Sequence, residues 1–520
     1  MRKKLSVADA ETDPFKIGRV PKPFIWGYYD GDTYEEFSET WQFVEFIKDR
    51  DEICYMHNGG KFDFFFMAEF IELLEPLTVI NGRITKFKIG ACEFRDSYAI
   101  LPIPLASYDK GEIDYAKFEA DIRHKHMAEI SDYLYRDCAS LLSIVTRYVD
   151  DYGINLTLAS GALKTWAKIC DETPPDSGPG HYEFFKSFYY GGRVECFQKG
   201  LIAKPFKVAD INSAYPFAML SNHPNGMQYV ETNRLPISKE ETQRSFIRLR
   251  AKSLGAFPFR GDTLEFPNDG ITREFFVSGW EFDAARDTGA LVIDEILQVF
   301  TFGDTINFKP YVHHFYAMKN AAEKGSADYI IAKLHLNSLY GKFGADPSKY
   351  QEFKTCHPSD VNAMAELYGY EFADLFGPHA IMCRQISEQA MRYYNIAIAA
   401  SITGYVRAYM WRAMSKCDGV LYCDTDSIAA HDTQNLPLGS ELGEWDIEAV
   451  CDRGGIAGKK LYAFHDSETD QWKCASKGVR FTEKEIMRVC AGEAVTYANP
   501  VPTFSLKSGT KFIDRTIRMN

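Results

Sequence analysis

The chain has 520 residues and a formal net charge of −13 at pH 7. A hydrophobic share of 46% and a charged share of 25% indicate a globular protein of more than one domain. The acidic balance argues against a protein coated in basic surface for bulk nucleic-acid binding, although it is compatible with a local basic channel. No apolar run is long enough to span a membrane, and the basic start turns acidic too early for a signal peptide. The 12 cysteines include no Cys-x-x-Cys pair, which predicts reduced thiols rather than a zinc site or a disulfide framework.

Acidic residues in the N-terminal third lie at the ends of predicted strands. Residues 5–12 are predicted to form a strand in which Asp9 and Glu11 share one face. A second strand at residues 52–56 leads into two glycines, which permit a tight turn that returns Asp63 towards the strand end. These three carboxylates are therefore expected to lie close together.

Two helices are predicted next, one beginning at residues 64–67 and one at residues 127–149. In the second helix, Tyr133 and Asp137 lie one turn apart and so share a face. Any one of these acids alone is better interpreted as a solvated surface group. As a set, the four acids suit two divalent metals about 4 Å apart, which activate water and stabilise the leaving oxygen of a phosphodiester. Tyr133 is placed to orient the attacking water.

Three segments in this region, DAET, HNGGKFDFFF and YLYRD, resemble the exonuclease motifs of DNA polymerases with 3′–5′ proofreading. The resemblance implies an RNase H-like fold and removal of mismatched 3′ nucleotides. It implies that four acids are metal ligands, assisted by Tyr133: Asp9, Glu11, Asp63 and Asp137.

The same resemblance implies DNA contacts. Asn58, Phe62 and Ser97 match positions that hold the single-stranded 3′ end. Lys117 matches a lysine near the scissile phosphate. The sequence departs from the family after Ser97, where Tyr98 replaces the usual leucine.

Residues 171–180, DETPPDSGPG, predict a domain boundary because they are rich in proline, glycine and acids. The segment FYYGGR follows and contains Tyr189, Gly191, Gly192 and Arg193. Its glycines permit close backbone approach to a ligand, and Arg193 beside aromatic residues suits a phosphate contact. Alone, this pattern is more typical of a plain glycine turn.

A short strand at residues 206–210 is predicted to end at Asp210. The turn after it contains Ser213 and Tyr215 and is stopped by Pro216. Tyr215 is placed to stack under the sugar of an incoming nucleotide and to block a 2′-OH, although a tyrosine here is more often a core aromatic residue.

Residues 220–307 carry no pattern to which chemistry can be assigned. Strand-like pieces at residues 246–250 and 291–293 predict a mixed insertion.

Residues 326–343 are predicted to form a helix. Four residues share one of its faces: Lys333, Asn337, Tyr340 and Gly341. We expect Lys333 to bind the phosphates of a nucleoside triphosphate, Tyr340 to pack near the base and Gly341 to leave room for the nascent pair. The alternative is an amphipathic helix with a solvent-facing lysine. Upstream, Lys319 offers a second phosphate-binding cation.

The segment YCDTDS, residues 422–427, is predicted to form a hairpin that holds Asp424 and Asp426 together. Like charges this close cost energy unless a cation neutralises them. From these residues alone, an acidic surface turn is an equally good interpretation. With Asp210, the pair suits two Mg²⁺ ions of an in-line nucleotidyl transfer, which lower the pKa of the primer hydroxyl and bind the triphosphate and pyrophosphate.

The segments DINSAYP, KLHLNSLYGKFG and YCDTDS, in this order, resemble motifs A, B and C of family B DNA polymerases, and FYYGGR resembles their Tyr-x-Gly-Gly motif, which touches template. The particular residues in these motifs most resemble the protein-primed branch of phages and adenoviruses, and within it the enzymes of tailless, membrane-containing phages. The resemblance implies that Asp210 and Asp426 ligate metal directly, while Asp424 supports the local field.

The protein-primed branch carries two insertions, one that grips the priming terminal protein and one that encircles DNA. Residues 225–310 and 345–390 occupy those places. The second insertion departs from the family, because residues 360–376 have helical spacing where a β-hairpin is usual.

In the C-terminal part, Lys460 and Tyr462 are predicted to share a strand face. They resemble the family's Lys-x-Tyr motif, which steadies the primer terminus; an edge-strand lysine is the alternative. Basic residues recur from Lys473 to Arg518, which predicts a small basic thumb lying on the duplex backbone.

The predicted fold class is α+β multidomain, with an RNase H-like exonuclease domain plus a right-hand polymerase of palm, fingers and thumb with two insertions. The predicted boundaries are 1–170 for the exonuclease domain, 171–188 for a linker, 189–224 for the palm with motif A, 225–310 for the insertion that contacts terminal protein, 311–344 for the fingers, 345–390 for the second insertion, 391–470 for the palm with motif C, and 471–520 for the thumb.

We therefore predict a DNA-directed DNA polymerase that replicates a linear viral genome from a terminal-protein primer and proofreads its product. The predicted cofactor is Mg²⁺, two ions per active site, with Mn²⁺ able to substitute. The predicted partners are template and primer DNA, dNTPs, the terminal protein and a single-stranded DNA-binding protein, without a membrane, in the cytoplasm of an infected bacterial host.

Two alternatives remain open. One is a DNA-primed repair polymerase of the same family. The other is a non-catalytic DNA-binding scaffold, which would have no physical reason to retain carboxylates in both clusters.

Overall fold

The computed structural model describes residues 3–104, 112–376, 378–386, 392–506 and 509–519. Parts of the predicted exonuclease domain, second insertion and thumb therefore lie outside the described residues. Within the described ranges, no helix combines the length and the hydropathy needed to cross a bilayer.

The N-terminal part alternates short strands and helices and ends with a long helix. Its elements are β1 Lys4–Thr12, β2 Pro23–Tyr29, β3 Tyr34–Phe37, α1 Thr40–Ile47, β4 Glu52–Met56, β5 Pro76–Ile80, β6 Arg83–Ile89, β7 Cys92–Asp96, α2 Met127–Tyr152 and α3 Leu158–Cys170. The strands predicted at residues 5–12 and 52–56 and the helix predicted at 127–149 are confirmed as β1, β4 and α2.

The run at residues 64–67, predicted to begin an apolar helix, lies instead in a 3₁₀-helix, Asp63–Phe70. Side chains three residues apart eclipse one another in a 3₁₀-helix. Phe64 and Met67 therefore project to the same side, and both are buried.

The middle of the chain is mostly strand. Its elements are β8 Asp176–Ser177, α4 Pro179–Phe185, β9 Val194–Cys196, β10 Gly200–Ile202, β11 Phe206–Ile211, α5 Ala214–Met219, β12 His223–Thr232, α6 Lys239–Gln243, β13 Ser245–Ser253, β14 Phe259–Arg260, β15 Leu264–Glu265, β16 Arg273–Ser278, α7 Gly279–Asp287 and β17 Leu291–Ile306. The strand-like pieces predicted at residues 246–250 and 291–293 lie in β13 and β17.

The last part contains the two longest helices after α2, and then a run of strands. Its elements are α8 Lys309–Ala321, α9 Ala327–Phe343, β18 Tyr350–Cys356, α10 Val361–Tyr368, β19 Glu371–Phe376, β20 His379–Gln385, β21 Tyr393–Tyr394, α11 Ile396–Met414, β22 Asp418–Asp424, β23 Ser427–Asp432, β24 Trp445–Gly458, β25 Leu461–Asp466, β26 Gln471–Ser476, α12 Glu483–Cys490, β27 Val495–Tyr497, β28 Thr503–Ser505, β29 Gly509–Lys511 and β30 Arg515–Ile517.

A ten-stranded sheet, in the order β19-β20-β18-β5-β6-β7-β4-β1-β2-β3, organises the N-terminal part. The pairs β1–β4 and β4–β7 are parallel, and the remaining pairs are antiparallel. The three strands at one end come from the predicted second insertion. Strand β18 pairs with β5, with Tyr350 opposite Ile80 and Lys354 opposite Pro76.

The helical spacing noted at residues 360–376 is only partly correct. The helix α10 ends at Tyr368, and Gly369 follows it at φ 66°, a left-handed conformation that ends helices readily. The residues beyond the glycine form β19, which pairs with β20 at the edge of the sheet.

An eight-stranded central sheet has the order β26-β25-β24-β11-β23-β22-β9, with β10 pairing to β24. Strand β26 was assigned by sequence to the thumb, but it pairs with β25. The central sheet therefore extends past the predicted boundary at residue 470. A separate four-stranded sheet, β12-β17-β13-β16, occupies the place of the first insertion.

The helices α3, α5, α8, α9 and α11 pack on the central sheet around one apolar core. Trp166 of α3, Met219 of α5, Leu336 of α9 and Ile402 of α11 are all buried in it. Because α3 belongs to the N-terminal part, this core joins the N-terminal part to the central sheet.

A buried ion pair ties α11 to α7. Glu281 and Arg407 are each 1% exposed, and Arg407 Nε donates to Glu281 Oε1 at 2.7 Å. A second nitrogen of the guanidinium reaches the backbone: Nη1 donates to the carbonyls of Tyr190 and Gly191. Both charges are thus taken out of water and paired with each other, and within the described residues Nη2 of Arg407 is buried without a hydrogen-bond partner.

We expect Arg407→Leu to destabilise the protein by about 3–5 kcal/mol, because it leaves the Glu281 carboxylate buried without its partner. Differential scanning fluorimetry and denaturant unfolding measure the loss. The control is Arg412→Leu, which breaks the more exposed pair with Asp287 and should cost less than about 1 kcal/mol. Adding Glu281→Gln to Arg407→Leu should restore part of the loss; equal effects of the two arginine variants would contradict the prediction.

Candidate functional site

Three carboxylates from two elements meet in the N-terminal part. Asp9 and Glu11 lie on one face of β1, and Asp137 is contributed by α2. One ligand atom from each lies within 4.8 Å of the others. We call these three residues the N-terminal carboxylate cluster. Among the residues that the structure describes, no other group of three or more acids, histidines or cysteines is this compact.

A glycine in β2 allows α2 to approach β1 closely enough to form this cluster. A Cβ at Gly27 would lie 2.8 Å from Leu134 Cγ, so any larger residue would push the helix away. Asp137 lies one turn beyond Leu134 on α2. The close contact between Gly27 and Leu134 therefore allows α2 to place Asp137, the third carboxylate, over β1.

Asp63 lies beside the cluster but is not part of the compact group. It is buried at the start of the 3₁₀-helix. Burial and then the negative charge of Asp9 raise the pKa of Asp63 well above its usual value. A divalent cation bound between Asp9 and Asp63 would offset this repulsion, and carboxylate oxygens are the ligands that hard cations prefer.

Tyr133 lies next to the cluster, whereas Lys117 contacts an earlier turn of α2. The hydroxyl groups of Tyr133 and Tyr115 are 2.9 Å apart. Burial, the Tyr115 hydroxyl and the charge of Asp137 raise the pKa of Tyr133, so its hydroxyl stays protonated and able to donate. Lys117 forms an ion pair of 2.6 Å with Glu129, one turn before Tyr133 on α2.

Of the three predicted ligands of single-stranded DNA, two are accessible. Asn58 has a φ of 60°, and its Oδ1 accepts from Arg83. The ring of Phe62 lies 5.5 Å from the rings of both Phe15 and Phe504, so the C-terminal strand β28 packs against this residue.

The prediction that Ser97 contacts DNA is contradicted by its burial. Ser97 is 0% exposed, and its hydroxyl contacts His57 Nδ1 at 3.0 Å and the carbonyl of Met56. Its role in this structure is to hold His57, whose Nε2 contacts the carbonyl of Ile103. The sequence did not reveal that His57, which begins the HNGG segment, links Ser97 to the carbonyl of Ile103.

The second site lies at the tip of the β22–β23 hairpin. Asp210 is the penultimate residue of β11 and lies opposite Ser427, and the amide of Ile211 donates to the carbonyl of Asp426 at 2.9 Å. The hairpin turn consists of Thr425 and Asp426, with Thr425 at φ 61°. This ladder brings Asp210, Asp424 and Asp426, which we call the central carboxylates, to one end of the sheet.

The central carboxylates differ in their surroundings. Burial, then Asp426 and Glu448, raise the pKa of Asp210 to about 7. Burial, then Asp424 and Glu448, raise the pKa of Asp426 to about 6. Asp424 is instead paired with Lys460, whose Nζ lies 2.6 Å from both of its carboxylate oxygens. The unneutralised repulsion is therefore concentrated on Asp210 and Asp426, where a cation would relieve it.

Glu448 is a fourth acid of this site that the sequence analysis missed. It lies on β24, beside β11, and it forms an ion pair with Lys473 of β26. Its negative charge raises the pKa of both Asp210 and Asp426. The alternating acids Asp446 and Glu448 in a strand that follows the motif C hairpin were the available signal.

Helix α9 places its predicted ligand face towards the central carboxylates. Lys333, Asn337 and Gly341 are exposed, and Tyr340 is half-buried. The positive charge of Lys333 is felt at Asp210, where it lowers the pKa and opposes the effects of burial and like charge. A Cβ at Gly341 would meet no atom within 4 Å, so the space beside this helix end is open.

Two further contacts define this face. The rings of Tyr215 and Tyr340 stack with centroids 4.1 Å apart and planes at 9°. Lys319 Nζ lies 3.4 Å from the hydroxyl of Ser213. Burial and then the positive charge of Lys333 lower the pKa of Lys319, so the two lysines lie near each other. An anion such as a phosphate would reduce the repulsion between them.

Arg193 does not offer a phosphate contact, contrary to the sequence prediction. It is 1% exposed, and its guanidinium pairs with Glu195 and donates to the carbonyl of Gly255. Its guanidinium also lies 4.1 Å from the centre of the Phe266 ring. The side chain is fully engaged inside the protein.

The backbone of the same FYYGGR segment does reach the second site. The carbonyl of Arg193 accepts from the amide of Thr425 at 2.6 Å. A Cβ at Gly192 would lie 2.7 Å from the Thr425 side chain, whereas one at Gly191 would meet nothing. Tyr189 contacts the chain beyond α9, since a Cβ at Gly344 would lie 2.6 Å from its hydroxyl.

Lys460 and Tyr462 do not share a strand face as predicted, because Lys460 lies in the turn before β25 at φ 58°. In that conformation its amide donates to the hydroxyl of Tyr422 while its ammonium pairs with Asp424. Tyr462 stacks on Phe464 at a centroid distance of 4.4 Å.

Comparison with known proteins gives one consistent family. The family model described as DNA polymerase type B, organellar and viral, matches residues 105–418. The DNA-directed DNA polymerase of Enterobacteria phage PRD1 is 36% identical, over 99% of this chain and 98% of its own length. The DNA polymerase of Bacillus phage phi29 is 23% identical, over 80% of this chain and 76% of its own length.

Solved structures agree on the fold. Phi29 DNA polymerase complexed with primer-template DNA and incoming nucleotide substrates superposes with a TM-score of 0.78, at 18% identity and over 100% of both chains. The orthorhombic crystal form of the same polymerase gives a TM-score of 0.79. These matches confirm the predicted α+β multidomain fold class of exonuclease plus polymerase domains. The chain therefore belongs to the protein-primed family B DNA polymerases and is a DNA-directed DNA polymerase of the phage type.

Proposed function

We propose that this polymerase copies a linear viral genome from a terminal-protein primer and removes mismatched 3′ nucleotides at a separate site. The observation that carries the proposal is the presence of two acidic sites on two different sheets, each with like charges held close together. Such repulsion is costly in a folded protein unless a divalent cation offsets it.

At the polymerisation site, Asp210 and Asp426 would hold Mg²⁺, or Mn²⁺ in its place. Two bound ions would supply activation of the primer hydroxyl and charge neutralisation at the triphosphate and pyrophosphate. Asp424, held by Lys460, keeps that lysine beside the site. Lys333, Lys319 and Ser213 bind the triphosphate.

Two tyrosines and a glycine complete the nucleotide-binding face. Tyr215, stacked on Tyr340, presents a rigid wall to the sugar and base of the incoming nucleotide. Asn337 and the open space at Gly341 admit the nascent pair. Backbone of Tyr189, Gly191 and Gly192 touches template, while Tyr462 and Lys460 steady the primer terminus.

At the proofreading site, Asp9, Glu11, Asp137 and the neighbouring Asp63 would hold Mg²⁺. The bound metal would supply activated water and stabilise the leaving oxygen. The protonated hydroxyl of Tyr133 orients that water. Asn58 and Phe62 hold the unpaired 3′ end, and Lys117 is released from Glu129 to meet the scissile phosphate.

The proposed domains follow from the same residues. Residues 1–170 form the exonuclease domain, 171–188 the linker, and 311–344 the fingers. The palm comprises residues 189–224 and 391–476, since β26 completes its sheet. The thumb follows from residue 477.

The proposed partners are template and primer DNA, dNTPs, a terminal protein and a single-stranded DNA-binding protein. The phi29 polymerase is described as complexed with primer-template DNA and nucleotides, which supports the first two. The four-stranded sheet of residues 225–310 is the proposed contact for terminal protein. Its exposed apolar residues, which include Val230 at 65% and Val292 at 51%, suit a protein partner. The setting is the cytoplasm of an infected bacterial cell.

We expect Asp426→Asn to lower the rate of primer extension by about 1,000-fold, equivalent to about 4 kcal/mol, because it removes a metal-binding charge. Asp424→Asn should cost less, because Asp424 is held by Lys460. A gel-based extension assay measures the rates, and filter binding confirms that DNA affinity is retained. The matched control is Asp432→Asn at the far end of β23, which should extend normally. Normal extension by Asp426→Asn would refute the site.

Asp9→Ala with Glu11→Ala should abolish degradation of single-stranded 3′ ends and leave extension within about twofold, because the two sites use different sheets. End-labelled oligonucleotides measure degradation, and a primed template measures extension in the same preparation. The control pair is Asp49→Ala with Asp51→Ala, at the surface before β4. Equal loss of both activities in the Asp9–Glu11 variant would show that the two sites are not separate.

Terminal-protein priming has its own test. We expect the protein to attach a labelled nucleotide to the terminal protein when template is present and no DNA or RNA primer is added. Asp426→Asn should not, because initiation uses the same metal-binding carboxylates. Extension of a DNA primer without any labelling of terminal protein would instead support the DNA-primed alternative, and absence of both would support a non-catalytic scaffold.

A further inference from the structure

The back of α9 packs against the C-terminal end of α2. Ile331 of α9 is buried in the same apolar core as Val145 and Tyr148 of α2. The opposite face of α9, which carries Lys333 and Asn337, is exposed. Because α9 lies between the nucleotide-binding face and the N-terminal part, any movement of the helix at its front also displaces the residues at its back.

One residue at the back of α9, His335, is buried without satisfying its polar atoms. It is 0% exposed, and neither ring nitrogen has a hydrogen-bond partner among the residues that the structure describes. Its ring contacts two aromatic rings, with centroids 4.6 Å from that of Phe315 on α8 and 4.2 Å from that of Tyr152 on α2. A buried polar ring without partners costs free energy that an apolar side chain of similar size does not cost.

A second unpartnered group lies at the same contact. Tyr148 of α2 is also 0% exposed, and its hydroxyl makes no hydrogen bond within the described part of the chain. The ring centroids of Tyr148 and His335 are 6.1 Å apart. The amide nitrogen of Asn155, which lies beside Tyr148, donates instead to the carbonyls of Tyr152 and Gly153. Two buried polar groups, one from α2 and one from α9, are therefore close to each other and unsatisfied.

The two groups are complementary as donor and acceptor. Burial raises the pKa of Tyr148, so its hydroxyl keeps its proton and can donate. Burial, and then the charge of His314, lower the pKa of His335 to about 3, so the ring is neutral and one of its nitrogens accepts. A hydrogen bond between them would satisfy both side chains, as is usual for buried polar groups.

The two sides of α9 allow the helix to shift. At the front, Lys319 and Lys333 repel each other, and a triphosphate bound between them would remove that repulsion. At the back, Arg147 of α2 forms an ion pair of 3.0 Å with Asp328 of α9, but the two side chains are 53% and 45% exposed. Ion pairs this exposed hold their partners weakly.

We propose that α9 takes a second position when a nucleoside triphosphate binds its front face, and that in this position His335 accepts a hydrogen bond from the hydroxyl of Tyr148. Both are then positioning residues for nucleotide binding, because they touch neither nucleotide nor metal and act by stabilising the bound position of α9. The bond favours binding because it is made in one position of the helix and not in the other. The inference rests on the proposed binding of triphosphate by Lys333 and Lys319.

The test uses the full-length protein with primer-template DNA and three variants: Tyr148→Phe, which removes only a hydroxyl, His335→Leu, and the double variant. Single-turnover extension measures the Kd of the correct dNTP and the maximal rate separately. The matched control is Tyr152→Phe, which removes a hydroxyl from the same aromatic group, one that contacts Met318 Sδ at 3.9 Å. Thermal melting without nucleotide reports whether each variant is folded.

We expect Tyr148→Phe to raise the Kd of the dNTP about fivefold, the factor for one neutral hydrogen bond, and to leave the maximal rate within about twofold. The double variant should bind no more weakly than either single variant, because both changes remove the same bond. Without nucleotide, Tyr148→Phe should not lower the melting temperature, since the lost hydroxyl is unpaired among the described residues. Tyr152→Phe should match the parent. If His335→Leu does not fold, Tyr148→Phe alone decides the outcome.

An unchanged Kd in Tyr148→Phe, or the same change in Tyr152→Phe, would overturn the proposal. A coupling between Tyr148 and His335 of equal size without nucleotide would also overturn it, because a bond made in both positions favours neither. Lys333→Met separates this inference from the proposed function. If Lys333→Met weakens dNTP binding and Tyr148→Phe does not, only the second position of α9 is refuted; if Lys333→Met binds dNTP normally, the assignment of α9 itself is refuted.

Discussion

The geometry of the central carboxylates depends on how the short segment from Tyr190 to Arg193 is held. Arg407 donates to the carbonyls of Tyr190 and Gly191, and the carbonyl of Arg193 accepts from the amide of Thr425. Arg193 is itself locked by Glu195 and by the carbonyl of Gly255. Two buried arginines thus fix a strip of backbone, and that strip fixes the turn between Asp424 and Asp426.

This arrangement explains why the chain tolerates concentrated negative charge. Asp210, Asp426 and Glu448 lie together at one end of the central sheet, and their mutual effect raises the pKa values of the first two. A flexible turn would separate these charges, since separation lowers the repulsion. The clamped backbone prevents that relaxation, so the charge remains available to a cation. Lys460 and Lys473 limit the cost by pairing with Asp424 and Glu448.

Much of this could be predicted from sequence, because the acids lie at the ends of short apolar strands or at regular helical spacing. β1, β4, α2, α9 and the β22–β23 hairpin follow from such local patterns. Asp9, Glu11 and Asp137 meet as expected, whereas Asp63 lies outside their compact group. What local patterns do not contain is the identity of distant partners. Ser97 contacts His57, 40 residues earlier in the chain, and Arg193 donates to the carbonyl of Gly255, 62 residues later. The side chain of Lys460 does not follow the alternation of side chains along a strand, because its backbone adopts a left-handed turn conformation.

The pairing of β18 with β5 mechanically links the chain that follows α9 to the N-terminal sheet. The chain leaves α9 at Phe343 and enters β18 at Tyr350, which is hydrogen-bonded into the same sheet that carries β1 and the N-terminal carboxylate cluster. Only a few residues therefore separate α9 from the sheet that carries the N-terminal carboxylate cluster. A rotation of the N-terminal part away from α9 would have to pull on this ladder. The spacing between α9 and the N-terminal carboxylate cluster is thus restrained by this ladder of backbone hydrogen bonds.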